Sequence, residues 1–420
     1  MSIPFKKANI LLPKKGTDMT KWAVVACDQY TSEMDYWNSV KEIVGDDPST
    51  LKLTLPEIFL EDDDVDEKIK DINKNMDEYL ADNLFDEYKD KILYLERTQA
   101  DGKVREGIIG MVDLEGYDFS KGSKTPIRAT EATIVERIPP RIKVRQNASI
   151  ELPHIMILID DDKKEIIEKI KNSISEEDKV YDFDMMKNGG HIKGYILNNC
   201  EADRVLEGLE NLSNKEEFNK KYNLNNEEVL LFAMGDGNHS LATAKTFYEN
   251  LKKEIGDKAL SHPARYALVE IVNLHSDALE FEAIHRVLFN VNEEDIMNKL
   301  NEYYDVSFEE TDGQKFEIVS NGNKKSVWIK NPKSNITVGT LQLFLDEYLK
   351  NNPDVKIDYI HGEDTVEKLA VNGNIGFILP VMGKDELFKT VILDGALPRK
   401  TFSMGHSNDK RFYLEARKIK

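Results

Sequence analysis

Val229-Leu230-Leu231-Phe232-Ala233-Met234-Gly235-Asp236-Gly237-Asn238-His239-Ser240, running on into Leu241-Ala242-Thr243-Ala244-Lys245-Thr246-Phe247-Tyr248, is the stretch that decides how this chain reads. Its first five residues form a continuous apolar run of buried-strand type, and from Leu241 onward apolar residues recur at helical spacing. The glycines therefore sit at a strand-to-helix junction. Gly235 and Gly237 permit backbone angles and a close ligand approach that other residues resist. The first amides of the following helix lack intrahelical partners and carry the positive dipole end, a setting that favours an anion. Asp236 adds a magnesium ligand or a base, His239 a donor, and Asn238 and Ser240 further polar groups. That inventory suits phosphoryl transfer, which asks for positioning and charge stabilisation. The plainer reading of the same residues is a tight turn with Asp236 or Asn238 capping the helix.

Working outward, 420 residues suffice for two domains or three, and 40% hydrophobic with 32% charged residues describes a soluble globular chain. A net charge of -20, from 77 acidic against 57 basic residues, argues against sequence-independent nucleic-acid binding, which needs a basic footprint. No apolar run is long enough for a signal peptide or a membrane span, so no membrane association and a cytoplasmic location are expected. The two cysteines, Cys27 and Cys200, make neither a disulfide framework nor a cysteine zinc site and read as free thiols.

Strands and helices mix without strict alternation through about residue 290, which predicts a mixed-sheet α/β architecture and not a doubly wound one. Residues 22–27 read as a buried strand followed by a helix from near Thr31, with Tyr36, Trp37 and Val40 on one face. Residues 64–91 are charged and helix-prone. Asp101-Gly102 marks a hairpin between 92–97 and 104–112, and Asn188-Gly189-Gly190 a second between 180–186 and 192–197. A strand is expected at 153–160 and a helix at 163–174. From 291 to 395 a smaller α+β unit follows, with a helix at 293–303, a strand pair around Asn321-Gly322-Asn323, helices near 340–350 and 363–371, and a strand at 375–379. The last segment, 396–420, is basic and turn-rich and is expected to return to the site with Arg399 and Lys400.

A second candidate constellation runs from Arg128 to Arg145, where Arg128, Arg137, Arg141, Lys143 and Arg145 surround Glu131 and Glu136, with Thr130 and Thr133 interleaved. Arginine forks bind phosphate oxygens bidentately, and a carboxylate beside them can take a proton from an alcohol. Glu131, between two threonines, is the preferred base. A solvent-facing element laced with ion pairs accounts for the same residues. His275, Glu280 and His285 share no helical face and make a poor metal set, and Asp160-Asp161-Asp162 reads as a helix cap before a magnesium site. No P-loop, protein-kinase motif or Rossmann fingerprint is present.

Gly235-Asp236-Gly237-Asn238-His239-Ser240 resembles the Asp-Gly-His-His-Arg signature of the ParB/sulfiredoxin-like kinases that phosphorylate free serine. Together with Val25-Ala26-Cys27-Asp28-Gln29-Tyr30-Thr31-Ser32 and the Arg/Thr/Glu stretch at 128–137, nearly the whole chain resembles a bacterial family long labelled a domain of unknown function. Some members of that family are described as pyrophosphate-dependent serine kinases. The resemblance implies a ParB-like core, Asp236 and His239 as phosphoryl-site residues with Mg2+ on Asp236, and Glu131 as the glutamate that deprotonates the serine hydroxyl. It further implies L-serine and a phosphoryl donor as partners, the donor being pyrophosphate, with ADP and ATP as alternatives. The chain departs from the signature at Asn238, which replaces the first histidine, and at Ser240, which replaces the arginine. The phosphate contact of that arginine falls to Arg137, Arg141 or the Arg399-Lys400 pair. Two rival expectations are a ParB-like nucleotide-dependent switch and a phosphoserine-type phosphatase using the same turn.

Overall fold

The structure, a computed structural model, describes residues 3–120, 122–133, 138–405 and 409–420. It divides into two compact units, one formed by Met1–Leu279 with Gly405–Lys420 and one by Glu280–Met404. The mixed α/β class expected from the sequence is what is observed.

The first unit is built on a mixed sheet that has ten strands among the described residues. Its order is Lys179–Asp184, His191–Ile196, Leu93–Thr98, Val104–Asp113, Tyr266–Asn273, Met156–Ile159, Phe232–Asp236, Ile127–Arg128 and Tyr117–Asp118, with Phe5–Lys6 pairing along Val104–Asp113. The central strands are apolar on both faces because both faces are covered. Leu93, Leu95 and Leu268 point into one core, whereas Tyr94, Ala267, Val269 and Ile271 point into the other, the period-two alternation of a pleated strand. The hairpin at Asp101-Gly102 joins Leu93–Thr98 to Val104–Asp113 in register Thr98↔Val104, as expected. Phe232–Asp236 lies antiparallel to Met156–Ile159 and parallel to Ile127–Arg128. The helix that follows, Asn238–Ile255, buries Leu241, Ala244 and Tyr248 in the second core.

Two local expectations are corrected. Residues 163–174 do not form an α-helix: only a short 3-10 turn at Ile170–Asn172 appears. Asp161 Oδ2 accepts from the amides of Glu165 (2.7 Å) and Ile166 (2.8 Å), and Asn273 Nδ2 donates to Asp161 O and Glu168 Oε1, both at 2.9 Å. Backbone groups satisfied in a turn leave little for a helix to gain. The helix-prone stretch 64–91 ends as a helix at Ala81, and Phe85–Lys91 becomes a strand paired with Ala8–Pro13. Asn83, at φ 54°, breaks the helix in the left-handed region that Asn tolerates.

In the second unit the strands Val306–Ser307, Asn323–Ile329, Gln314–Ser320, Ile375–Ile378, Phe281–Phe289 and Lys356–His361 form an antiparallel sheet, with Phe402–Met404 pairing at Phe281–Ala283. Helices Glu293–Tyr303, Thr337–Asn351, Glu363–Leu369 and Lys384–Leu393 complete it. The boundary falls at 279/280 and not at 290/291 because Phe281–Phe289 pairs with Lys356–His361 and Ile375–Ile378. The segment 396–420 is not one piece: residues up to Met404 belong to the second unit and Gly405–Lys420 to the first. No helix among the described residues is long and apolar enough to cross a membrane.

Candidate active site

The strand Phe232–Asp236 delivers its last residue to the mouth of the helix Asn238–Ile255 through Gly237, whose φ is 77°. A Cβ at Gly237 would stand 3.0 Å from Ile155 Cα and 3.4 Å from the His154 carbonyl oxygen, so the position demands glycine on two counts. Among the described residues the helix has no side-chain cap; Leu241 N–H makes the first helical bond to the Gly237 carbonyl at 3.0 Å. The amides of Asn238, His239 and Ser240 precede that bond at the positive end of a helix of 18 residues. Asp236 Oδ1 accepts from Gly237 N–H at 2.8 Å, and its Oδ2 lies 3.3 Å from Lys410 Nζ. The buried Oδ1 of Asn238 has no hydrogen-bond partner among the described residues, so the first helical side chain still has bonding capacity to offer.

Behind the turn stands His154, only 4% exposed, at the entrance to the strand Met156–Ile159. Its Nε2 lies 3.4 Å from Asp28 Oδ2 and 3.5 Å from Ser240 Oγ, and its Nδ1 lies 2.9 Å from the Tyr413 hydroxyl. The Tyr413 hydroxyl in turn donates to Cys27 Sγ at 3.0 Å. Burial opposes a charge on His154, but Asp28, by attraction and hydrogen bonding, and Asp236 outweigh it and raise its pKa. Burial likewise opposes the Asp28 carboxylate, and the charge and hydrogen bond of His154, with Gln29 and Lys410, more than offset it and hold Asp28 well below the ordinary carboxylate range. The two form an ion pair beside the helix mouth. Cys27 moves the other way: burial and the neighbouring Asp28 push its thiol up to about 11, which makes it a poor nucleophile at neutral pH.

A cavity of about 150 Å3 opens beside this cluster. Cys27, His154, Ser240 and Tyr413 line it near the turn, and Glu57 and Arg141 form an ion pair among otherwise largely apolar walls.

The residues expected from the sequence have different fates. Gly235, Asp236, Gly237, Asn238, His239 and Ser240 form the junction as read. Thr130 supports it: its Oγ1 donates to the Met234 carbonyl at 2.8 Å. Glu131 follows, beyond Thr130, the two-residue strand Ile127–Arg128, which runs parallel to Phe232–Asp236 in register Ile127↔Phe232 and Arg128↔Ala233. Thr133 Oγ1 is buried without a hydrogen-bond partner among the described residues. Arg128 is corrected from a phosphate ligand to a scaffold residue, because it is 5% exposed and its guanidinium donates to the carbonyls of Thr125 and Glu228, each at 2.8 Å. Arg141 faces the cavity, where Glu57 holds it. Arg399 and Lys400 belong to the second unit, where Arg399 Nε donates to the Tyr359 hydroxyl at 3.3 Å and the Lys400 carbonyl accepts from Arg286 at 3.0 Å. Arg137 lies outside the described residues.

Sequence reasoning missed Asp28, His154, Lys410 and Tyr413. Asp28 stood inside the 25–32 segment that carried the family resemblance, and His154 at the head of an expected strand. Nothing local distinguishes Lys410 or Tyr413. As to magnesium, no group of three metal-ligating side chains stands together among the described residues, so no all-protein cage is offered. A magnesium ion carried by phosphate oxygens needs only one or two carboxylates and keeps its waters, and Asp236 fits that lesser demand.

No curated protein matches the chain. Among solved structures, a mutant free serine kinase in complex with ADP is 11% identical, covering 76% of this chain and 93% of its own, with a TM-score of 0.38. A conserved hypothetical protein from Pyrococcus furiosus is 11% identical over 72% and 92% of the two chains at 0.36, and SbnI with a C-terminal truncation from Staphylococcus aureus is 8% identical over 71% and 82%, also at 0.36. Scores this low leave these as likenesses that bear no functional weight. The family match is of another order: residues 11–348 match the family described as "Protein of unknown function (DUF1015)", and the chain belongs to that family.

Proposed function

We propose that this protein is a small-molecule kinase that transfers a phosphoryl group from pyrophosphate to the hydroxyl of free L-serine, on a ParB-like core. The observation that carries the reading is the Gly237 junction, where an uncapped helix mouth meets Lys410 and the buried His154–Asp28 pair. A transferring phosphoryl group needs donors and positive charge fixed in place before it arrives. The amides of Asn238, His239 and Ser240 supply the donors, and the Lys410 ammonium and the His154 imidazolium supply the charge. Magnesium, when bound with the donor and met by Asp236, supplies further neutralisation of the phosphate oxygens.

The acceptor lies in the neighbouring cavity. A carboxylate and a guanidinium on one wall, Glu57 and Arg141, match the ammonium and carboxylate of an amino acid, and Ser240, His154 and Cys27 mark the end nearest the turn. The serine oxygen bonds to phosphorus as the bridging oxygen of pyrophosphate leaves as phosphate, and the hydroxyl proton passes to a carboxylate. We assign that proton to Glu131 before Asp28, because the ion pair with His154 leaves the Asp28 carboxylate too weak a base, and Thr130 beside Glu131 bonds the Met234 carbonyl next to the turn. Glu131→Gln is expected to lower kcat by at least about a hundredfold, the scale of general-base catalysis. If Asp28→Asn produces that loss and Glu131→Gln does not, the assignment moves to Asp28.

The reading is tested by mass-spectrometric detection of O-phosphoserine after incubation of the purified protein with L-serine, magnesium and, in separate tubes, pyrophosphate, ADP and ATP. Product in the pyrophosphate tube is the expected result. Product only with a nucleotide changes the donor, and product in none of the tubes refutes the kinase.

A further inference from the structure

Arg97 and Arg105 stand directly opposite each other on the paired strands Leu93–Thr98 and Val104–Asp113, and both are buried, at 1% and 3% exposed. Like charges placed opposite each other across two strands repel, and burial strips away the water that would screen them. Compensation is present but shared. Arg105 Nε reaches Glu270 Oε1 at 3.2 Å, while Arg411 lies 3.3 Å from the other oxygen of the same carboxylate and 2.6 Å from Glu415. Burial, and then repulsion from Arg105, brings the Arg97 guanidinium down to about 9. A sheet gains nothing from such a pair unless the two groups hold something.

What they hold is the chain that returns from the second unit. Arg97 Nη1 donates to the Lys410 carbonyl, its Nη2 to the Gly189 carbonyl at 3.0 Å, and its plane lies over the Phe412 ring at 5.1 Å. Arg105 Nη1 donates to the Asp409 carbonyl at 2.9 Å. Two consecutive carbonyls are thus gripped by two buried guanidiniums, just before Phe412–Tyr413 pairs with Val24–Val25. From this fixed backbone the Lys410 side chain reaches Asp236 at 3.3 Å.

We propose that Arg97 and Arg105 are positioning residues, a guanidinium clamp that fixes the backbone of Asp409 and Lys410 and thereby holds the Lys410 ammonium at the Asp236 turn. The functional half of this inference rests on the reading of the turn as a phosphate site.

Arg97→Lys and Arg105→Lys keep the charge but lose the fork that grips a carbonyl. Amide hydrogen exchange over 409–413 is expected to accelerate about tenfold or more in each, the scale of one lost charged hydrogen bond, while the strands Tyr266–Asn273 and Met156–Ile159 stay protected. Unchanged exchange at 409–413 in both variants overturns the clamp. Calorimetric binding of inorganic pyrophosphate with magnesium is expected to weaken about tenfold in Lys410→Ala and in Arg97→Lys. The double variant should be no weaker than Lys410→Ala alone, because a residue acting through Lys410 has nothing left to act through. Additive losses overturn the positioning role. If exchange accelerates but Lys410→Ala binds pyrophosphate normally, the clamp stands and the phosphate reading of the turn falls.

Discussion

Replacing Gly237 by alanine tests the site at its narrowest point. The backbone there has φ 77°, and a new Cβ would meet Ile155 Cα at 3.0 Å and the His154 carbonyl oxygen at 3.4 Å. The left-handed conformation costs a residue with a Cβ about 1–2 kcal/mol. The contact is with backbone, so relief requires moving the residues that lead into the strand Met156–Ile159, at a further cost of about 1–3 kcal/mol on the scale of overpacked sites. Alanine also restricts the unfolded chain, which returns about 0.4–1 kcal/mol. The net expectation is a destabilisation of about 1–4.5 kcal/mol, read as a shift in urea midpoint at unchanged m-value. Since His154 would be displaced along with Ile155, pyrophosphate binding should fall further than stability alone explains. A loss below about 0.5 kcal/mol, within the range of an ordinary surface substitution, would refute the argument that this turn is built on glycine.

Three further outcomes follow from particular contacts. Asp236→Asn and His239→Ala should abolish turnover with an unchanged circular dichroism spectrum and thermal midpoint; near-normal activity in both would remove the turn from the mechanism. Arg128→Met should destabilise the protein by about 2–4 kcal/mol in denaturant, because the carbonyls of Thr125 and Glu228 lose their charged donor, and it should leave the affinity for pyrophosphate in the folded protein unchanged. A selective loss of affinity would return Arg128 to the ligand set. The stabilisation from the Asp28–His154 pair should depend on pH in both directions. Asp28 is depressed, so its contribution is present above the ordinary carboxylate value of about 4 and is lost as pH falls through its lower folded value; His154 is raised, so its contribution is full below the ordinary imidazole value of about 6.5 and is lost as pH rises through its higher folded value. Thermal midpoints of the wild type minus those of Asp28→Asn, measured across that range, should be largest between those two ordinary values, and a flat difference would mean the pair does not titrate with folding.

The parts of the fold that the sequence announced are those set by short-range physics. Asp101-Gly102 forces a tight turn whatever surrounds it, and the strand-Gly-x-Gly-helix junction at 229–248 needs only a change of hydrophobic period and a glycine. In the second unit the helix Glu293–Tyr303 and the strand pair around Asn321-Gly322-Asn323 were readable for the same reason. Residues 163–174 and 85–91 were misread because remote partners override local propensity there: Asn273 and the Asp161 cap hold the first in turns, and Ala8–Pro13 draws the second into a ladder. Arg128 looked like an anion ligand because a sequence shows charge and hides burial.

Taken alone, the sequence determined the turn at 235–240, the mixed α/β class and the absence of the usual nucleotide motifs, each of which depends on residues within about two turns of chain. Tertiary structure decided what surrounds that turn. Cys27 and Tyr413 meet across 386 positions, and Lys410 reaches Asp236 only because the chain leaves the first unit at Leu279 and returns to it at Gly405. Pairing of that kind is selected by the free energy of the whole packed unit and leaves no periodicity behind. The charge a phosphate would meet at this site therefore had to be found in space, although the turn that would bind it could be read in line.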